Sequence, residues 1–198
     1  MAKTDVKIEN VVKYYYDYGI FKTHFLNALS ATFKEGESFF MKSITAYLKE
    51  YPEYRQRIIQ FCNEERTHTI WHITMNNLLD GVNNNTALKD LEESTGRGLR
   101  LLNFLPKDYK LLVTECLEHI TYCLCKSAIE SGEFEKLLGD SKNVFLQHSI
   151  EETGLSHSTI AGDLYKKVGN RYVRRVAIYI VFTALTYVIL KYINYLYD

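Results

Sequence analysis

The sequence predicts an all-α protein, a bundle of about six or seven helices, and three observations predict it. Only 2 of its 198 residues are Pro, strand-like alternation is scarce, and apolar residues recur at helical spacing over long segments. A chain of this length buries a substantial core as one domain, residues 1–198. No repeat of solenoid length recurs.

The elements are justified in turn. Val6 to Leu29 is aromatic and mixed, with Tyr14, Tyr15, Tyr18, Phe21 and Phe25, and reads as one helix or two with a bend at Gly19. The segment Phe33–Phe40 leads into a helix running to about Glu50. Pro52 suits the first turn of the next helix, which continues through Met75 and Leu79 and ends at Asp80-Gly81 before a run of Asn. Thr86 to Leu105 is helical but weakened by Gly96 and Gly98. Pro106 restarts the chain, and Lys107 to about Glu130 is a strong helix with Leu112, Cys116, Ile120 and Leu124 at apolar spacing. Gly132–Gly139 is a connector. A helix from Asp140 to Val168 has an interruption at Gly154, and Arg171–Asp198 is nearly all apolar residues and tyrosine. Four of these helices are long enough to pack around a central site.

Charge excludes one class of partner. Basic and acidic residues balance at 24 each, without a block of either sign, so no nucleic-acid surface is expected. The 4 cysteines lie in helical patterns without a Cys-x-x-Cys pair, as expected of buried thiols in a reducing compartment. The first residues carry no signal-like apolar run, and a cytoplasmic location is the expectation.

The chemistry gathers in four stretches. Glu65-x-x-His68 is followed by His72. Three residues turn a helix by about 300° and seven by about 700°, so these side chains lie within roughly 60° of one another. Ferritin-like di-metal sites take a Glu from each of two helices and Glu-x-x-His from each of two others. Glu37 lies in the Phe-rich stretch of one helix, Glu115 and Glu118 share a face of the helix after Pro106, and the Asp140 helix carries His148, Glu151, Glu152 and His157. Of six histidines only His24 falls outside these stretches. The expected metal ligands are Glu37, Glu65, His68, His72, Glu118, His148, Glu152 and His157, with Glu115 as the alternative to Glu118 and His72 either a ligand or a support that pairs across to His148. The spacing of the last pair leaves two alternatives. Nine residues turn a regular helix by about 900°, which sets His148 and His157 on opposite faces. Either a break or bulge near Gly154 realigns them, or His148 and Glu152 supply the ligands and His157 stands behind.

At these residues the chain resembles the predicted metal-dependent hydrolases, a group of ferritin-like helical proteins. Phe33-x-x-Gly36-Glu37-x-Phe39-Phe40 resembles their FPxGExFF, and Glu65-x-x-His68-x-x-x-His72 their QExxHxxxH. Glu118-His119-x-Thr121 is similar to EHxTA, and His148-x-x-Glu151-Glu152, with His157, Asp163 and Tyr165, to WHxxEExEHKxVAFDxY. Arg171, Tyr172 and Arg174 resemble the segment before a hydrophobic helix. Three departures stand out: Lys34 replaces the family's Pro, Asn63-Glu64 its Gln, and His148 and His157 lie nine apart where the family has seven. The resemblance covers about residues 30–185. It implies a ferritin-like four-helix core with additional N- and C-terminal helices, and hydrolysis of a small-molecule substrate.

The expected chemistry follows from the donor types. A divalent metal lowers the pKa of a bound water and polarises a substrate oxygen, with Glu115, Glu64 or Glu151 as general base or as support for a ligand. Carboxylates with two to four imidazoles suit one or two ions of Fe, with Mn or Zn as alternatives. A di-iron oxidase or oxygenase on the same ligands is the second expectation. The third is a non-enzymatic interaction or membrane-associated protein. It rests on the apolar run Val176–Leu190, flanked by Arg171, Arg174, Arg175 and Lys191. That segment suits a buried helix or a homodimer interface, with a peripheral membrane contact as the alternative.

Overall fold

The computed structural model describes residues 6–154 and 159–197. Seven α-helices and no strand occur among them: α1 Ile20–Thr45, α2 Arg55–Asn83, α3 Ala87–Leu102, α4 Lys107–Glu130, α5 Asp140–Glu152, α6 Ile160–Val168 and α7 Arg171–Tyr197. Short 3₁₀ turns at Pro52–Tyr54 and Glu133–Lys136 join α1 to α2 and α4 to α5. The all-α expectation holds.

The largest difference from the sequence reading lies before α1. Residues 6–19 are not helical, and Asp17 and Tyr18 adopt positive φ angles of 44° and 57°. The cause is long-range pairing. Asp17 N–H donates to Lys136 O at 2.8 Å, Leu138 N–H to Tyr15 O at 2.7 Å, and Asp140 N–H to Asn10 O at 2.9 Å. The Asp140 carboxylate also accepts from the backbone N–H groups of Glu9 and Asn10, each at 2.7 Å. Backbone groups satisfied across the fold have no need of a helix. Gly139 makes the approach feasible: its φ is +62°, and a Cβ there would stand 2.7 Å from Asn10 O.

Helix α1 then runs unbroken through residues 33–40, where the sequence suggested a new start. Lys34 stands in its interior, at the position where the resembling motif has Pro, and a proline there would remove a helical hydrogen bond. Helix α2 passes through Gly81 and stops at Asn84, which takes the left-handed conformation with φ 54°.

α1 packs on α2 and α4, and α5 packs on both α2 and α4. These four helices close a ring. α3 covers α1 and α2, and α7 lies along α4 and α1. The apolar core is split into two clusters. Ala28, Ala31, Trp71, Met75, Leu79 and Phe145 belong to one, and Phe40, Ile44, Ile58, Phe61, Leu111 and Cys116 to the other. On α2 the change from one cluster to the other spans Glu65, His68 and His72, all at 0% exposure. Burying a neutral polar group between apolar layers costs on the order of 2–7 kcal/mol unless a hydrogen bond compensates, and an ionised one costs far more.

α7 differs in kind. It is long and apolar enough to cross a membrane by length and composition, yet only 17% of its most apolar window is buried. Tyr179, Ile180 and Phe182 point outward. Of the cysteines, Cys62 and Cys116 are buried as expected, whereas Cys123 is exposed.

Candidate metal centre

Each helix of the ring contributes to one buried polar layer. α1 supplies Ser30 and Glu37, α2 supplies Glu65, His68, His72 and Asn76, α4 supplies Glu115 and Glu118, and α5 supplies His148 and Glu152. Two groups of three could each hold a metal ion: Glu37, His68 and His148, and Glu65, His68 and Glu152. Within each, one donor atom per residue lies within 4.8 Å of the others. His68 belongs to both.

The carboxylates are crowded. Burial pushes the Glu37 carboxyl well above its ordinary pKa, and the charges of Glu65, Glu152 and Glu118 push it further. A hydrogen bond from Thr69 Oγ1 to Glu37 Oε2, 2.5 Å, opposes the rise. The other oxygen, Glu37 Oε1, is buried without a hydrogen-bond partner among the described residues. Clustered acidic donors of this kind match what a divalent cation requires.

The imidazoles are oriented from outside the cluster. Lys34 Nζ lies 3.1 Å from Glu92 Oε2, and Glu92 Oε1 accepts from Asn76 Nδ2 at 3.0 Å. The Asn76 amide oxygen therefore faces Ser30, whose hydroxyl donates to it at 2.7 Å. Ser30 has one proton, so its oxygen must accept from His72 Nδ1–H, 2.8 Å away. His72 is held neutral by burial, with the neighbouring His148 and His68 acting in the same direction. Its Nε2 then accepts from His148 Nδ1–H at 2.7 Å. What remains is the lone pair of His148 Nε2, aimed at Glu152 Oε1 3.1 Å away. An unprotonated nitrogen facing a carboxylate oxygen is repulsive, and either a proton or a metal ion between them relieves it. The donor set fits a cation.

His68 is arranged in a parallel way. Its Nε2 lies 2.9 Å from Glu151 Oε2 and its Nδ1 3.7 Å from Glu152 Oε1. With Nε2–H given to Glu151, Nδ1 turns its lone pair to the centre, the usual carboxylate–histidine–metal pattern. Burial would raise the pKa of Glu151, but hydrogen bonds from His68 and Gln147 outweigh it and hold the carboxyl below its ordinary value.

The expected site residues thus divide. Glu37, Glu65, His68, His148 and Glu152 come together, and Glu118 is near enough for its charge to act on Glu37. His72 has both ring nitrogens in hydrogen bonds. Glu115 is buried and accepts from Arg174 at 2.6 Å, and Glu151 touches His68 rather than the centre of the cluster. His157 lies outside the described residues. Sequence reasoning missed Ser30, Thr69, Asn76, Glu92 and Arg174. Ser30 lies seven residues before Glu37 and Asn76 four after His72, so helical spacing carried a signal for both. Nothing in the sequence pointed to Glu92 on α3.

A family model described as "Predicted metal-dependent hydrolase" matches residues 2–198. The chain belongs to this family. Its buried Glu and His groups could bind the metal that the family description names. No curated protein and no solved structure matches the chain significantly.

Proposed function

We propose that this metal-dependent hydrolase holds one or two divalent ions, in a ferritin-like arrangement, on Glu37, Glu65, His68, Glu118, His148 and Glu152. The observation that carries the reading is the overlap of two donor triads at His68, whose single lone pair at Nδ1 can serve one of them at a time. An ion bound there acidifies a water and polarises the substrate oxygen it contacts. His72 and Glu151 are positioning residues that set the tautomers of His148 and His68. Glu115 borders a cavity of about 540 Å³ beside Glu118, with Arg171, Arg174 and Arg175 on its wall. Of the carboxylates on that lining, Glu115, Glu118 and Asp163, we read Glu115 as the proton acceptor, with Arg174 holding its orientation. We further read the outward side of α7 as this protein's contact with an apolar partner surface, a membrane or a second copy.

Carboxylate predominance in the donor set favours Fe or Mn over Zn and supports a second reading, dioxygen chemistry at di-iron. Metal analysis of anaerobically purified protein separates the two. Two Fe per chain with an optical change on oxygen exposure favours the oxidase. A bound ion without oxygen reactivity favours the hydrolase. Protein that binds no divalent ion, with Glu65→Ala and His68→Ala indistinguishable from the parent, would sink both.

A further inference from the structure

Phe21, Phe25, Leu29 and Phe33 follow one another at four-residue spacing along α1. They form one stripe about 18 Å long. Leu124 and Ala128 of α4 and Leu185 of α7 face them across a cavity of about 430 Å³. That volume lies inside the ~300–1,000 Å³ range of small-molecule sites. The trough is open to water: Phe21 is 57% exposed and Leu124 40%.

Polarity is distributed unevenly along it. The charged side chains on the lining, Lys22 and Glu133, are paired at 3.5 Å near the Phe21 end. At the other end the lining reaches His148, a buried residue of the metal-ligand set, whose ring lies 4.6 Å from that of Phe33. A multiply charged ligand would find no charged partner along the middle of the stripe. A long, narrow apolar molecule would cover it throughout, removing large aromatic and aliphatic side chains from water at about 25 cal/mol per Å².

We infer that the trough binds a single unbranched acyl chain, laid along α1 with its inner end at His148. The substrate class is then an acyl-chain compound, an inference that rests on the reading of the polar layer as a metal centre. Leu185 ties the trough to α7.

The test is titration of full-length protein with cis-parinaric acid, a fluorescent fatty acid, below its micellar concentration, with and without bound Mn²⁺. Saturable binding of one molecule per chain, competed by palmitic acid, is expected. Leu124→Trp and Ala128→Trp should each weaken it at least tenfold while helical content and metal stoichiometry stay at parent values. Absence of saturable binding overturns the inference. So does binding that neither tryptophan alters, or uptake seen only with phosphatidylcholine vesicles and unaffected by both variants. A dimer that buries Phe21 and excludes the probe overturns it as well. The two readings fail separately. Protein that binds Mn²⁺ but no fatty acid loses the trough alone; protein that binds fatty acid but no divalent ion keeps the trough and loses the metal centre.

Discussion

His72 meets His148 at 2.7 Å, Nε2 to Nδ1, and this contact decides which nitrogen of His148 faces the carboxylates. Its direction is set one step further out, where Ser30 gives its only proton to Asn76 and so must accept from His72. Ser30→Ala removes that acceptor and frees His72 to adopt either tautomer. Metal affinity should fall roughly 10–100-fold, the usual cost of a lost supporting hydrogen bond to a ligand. Competition with a chromophoric chelator measures it. Unchanged affinity in a folded Ser30→Ala protein would remove His72 from its positioning role.

Glu37 gives a prediction with opposite signs in the two metal states. Burial, then Glu65, raises its folded pKa above that of the unfolded chain. In metal-free protein this group costs nothing below the unfolded value. The cost grows as pH rises from that value to the raised folded one, because the unfolded chain ionises first. Glu37→Gln should therefore stabilise the metal-free protein at pH 8 by roughly 1–3 kcal/mol, the usual penalty of an uncompensated buried polar group. It should also flatten the decline in stability as pH rises above the ordinary carboxylate pKa, and weaken metal binding. Urea unfolding with and without chelator reports all three.

Metal removal has its own signature. A ligand that binds only the folded state adds about 2.7 kcal/mol at a concentration of 100 Kd. Chelation at neutral pH should lower the melting temperature, and re-addition of the preferred ion should restore it. Calcium, which favours all-oxygen ligands, should restore little, because two imidazoles belong to the donor set. Calorimetry across a metal series checks both expectations.

Of the four ring helices, α2 and α4 were legible in the sequence because their apolar and chemical residues recur at helical spacing, whereas α1 was read with a new start at residues 33–40 and α5 as one interrupted helix with α6. That spacing put Glu65 with His68 on one face and His148 with Glu152 on another. Joining the two faces took the ferritin-like pattern and the family resemblance, and the choice between His148 and His157 stayed open. What escaped depends on which helix packs beside which. Glu92 lies on α3 and reaches Asn76 only after α2 and α3 fold together. The segment before α1 was misread for the same reason. Its tyrosines and valines suit a helix, yet its backbone pairs with residues 136–140, more than 100 positions away. His72 was the subtler case, since residue type and spacing qualify it as a ligand equally well. Only Ser30 on one side and His148 on the other assign its two nitrogens.

The outward face of α7 should be a contact surface. Tyr179, Ile180 and Phe182 together present more apolar area than an isolated exposed side chain would. The parent protein is expected to self-associate or float with phosphatidylcholine vesicles. The triple variant Tyr179→Ser, Ile180→Ser, Phe182→Ser should do neither while keeping its helical content. Sedimentation velocity and vesicle flotation distinguish the two attachments. A monomeric parent that ignores vesicles would leave α7 without the proposed role.

Asp140 fastens the segment before α1 to the start of α5. Backbone N–H groups of Glu9 and Asn10 hold its carboxyl below the ordinary pKa. The folded value is depressed, so the contribution is present above the unfolded pKa and is lost as pH falls through the folded one. Hydrogen bonds to a charged group contribute about 1.5–3 kcal/mol, and solvent screening of this accessible pair reduces the expectation for Asp140→Ala to about 1 kcal/mol. The effect should be local. Amide exchange at Glu9 and Asn10 should rise in Asp140→Ala, and in the parent once pH falls through the depressed Asp140 pKa, while exchange in α2 stays protected. Exchange at those two amides that is already fast in the parent at neutral pH would show that Asp140 does not hold the segment.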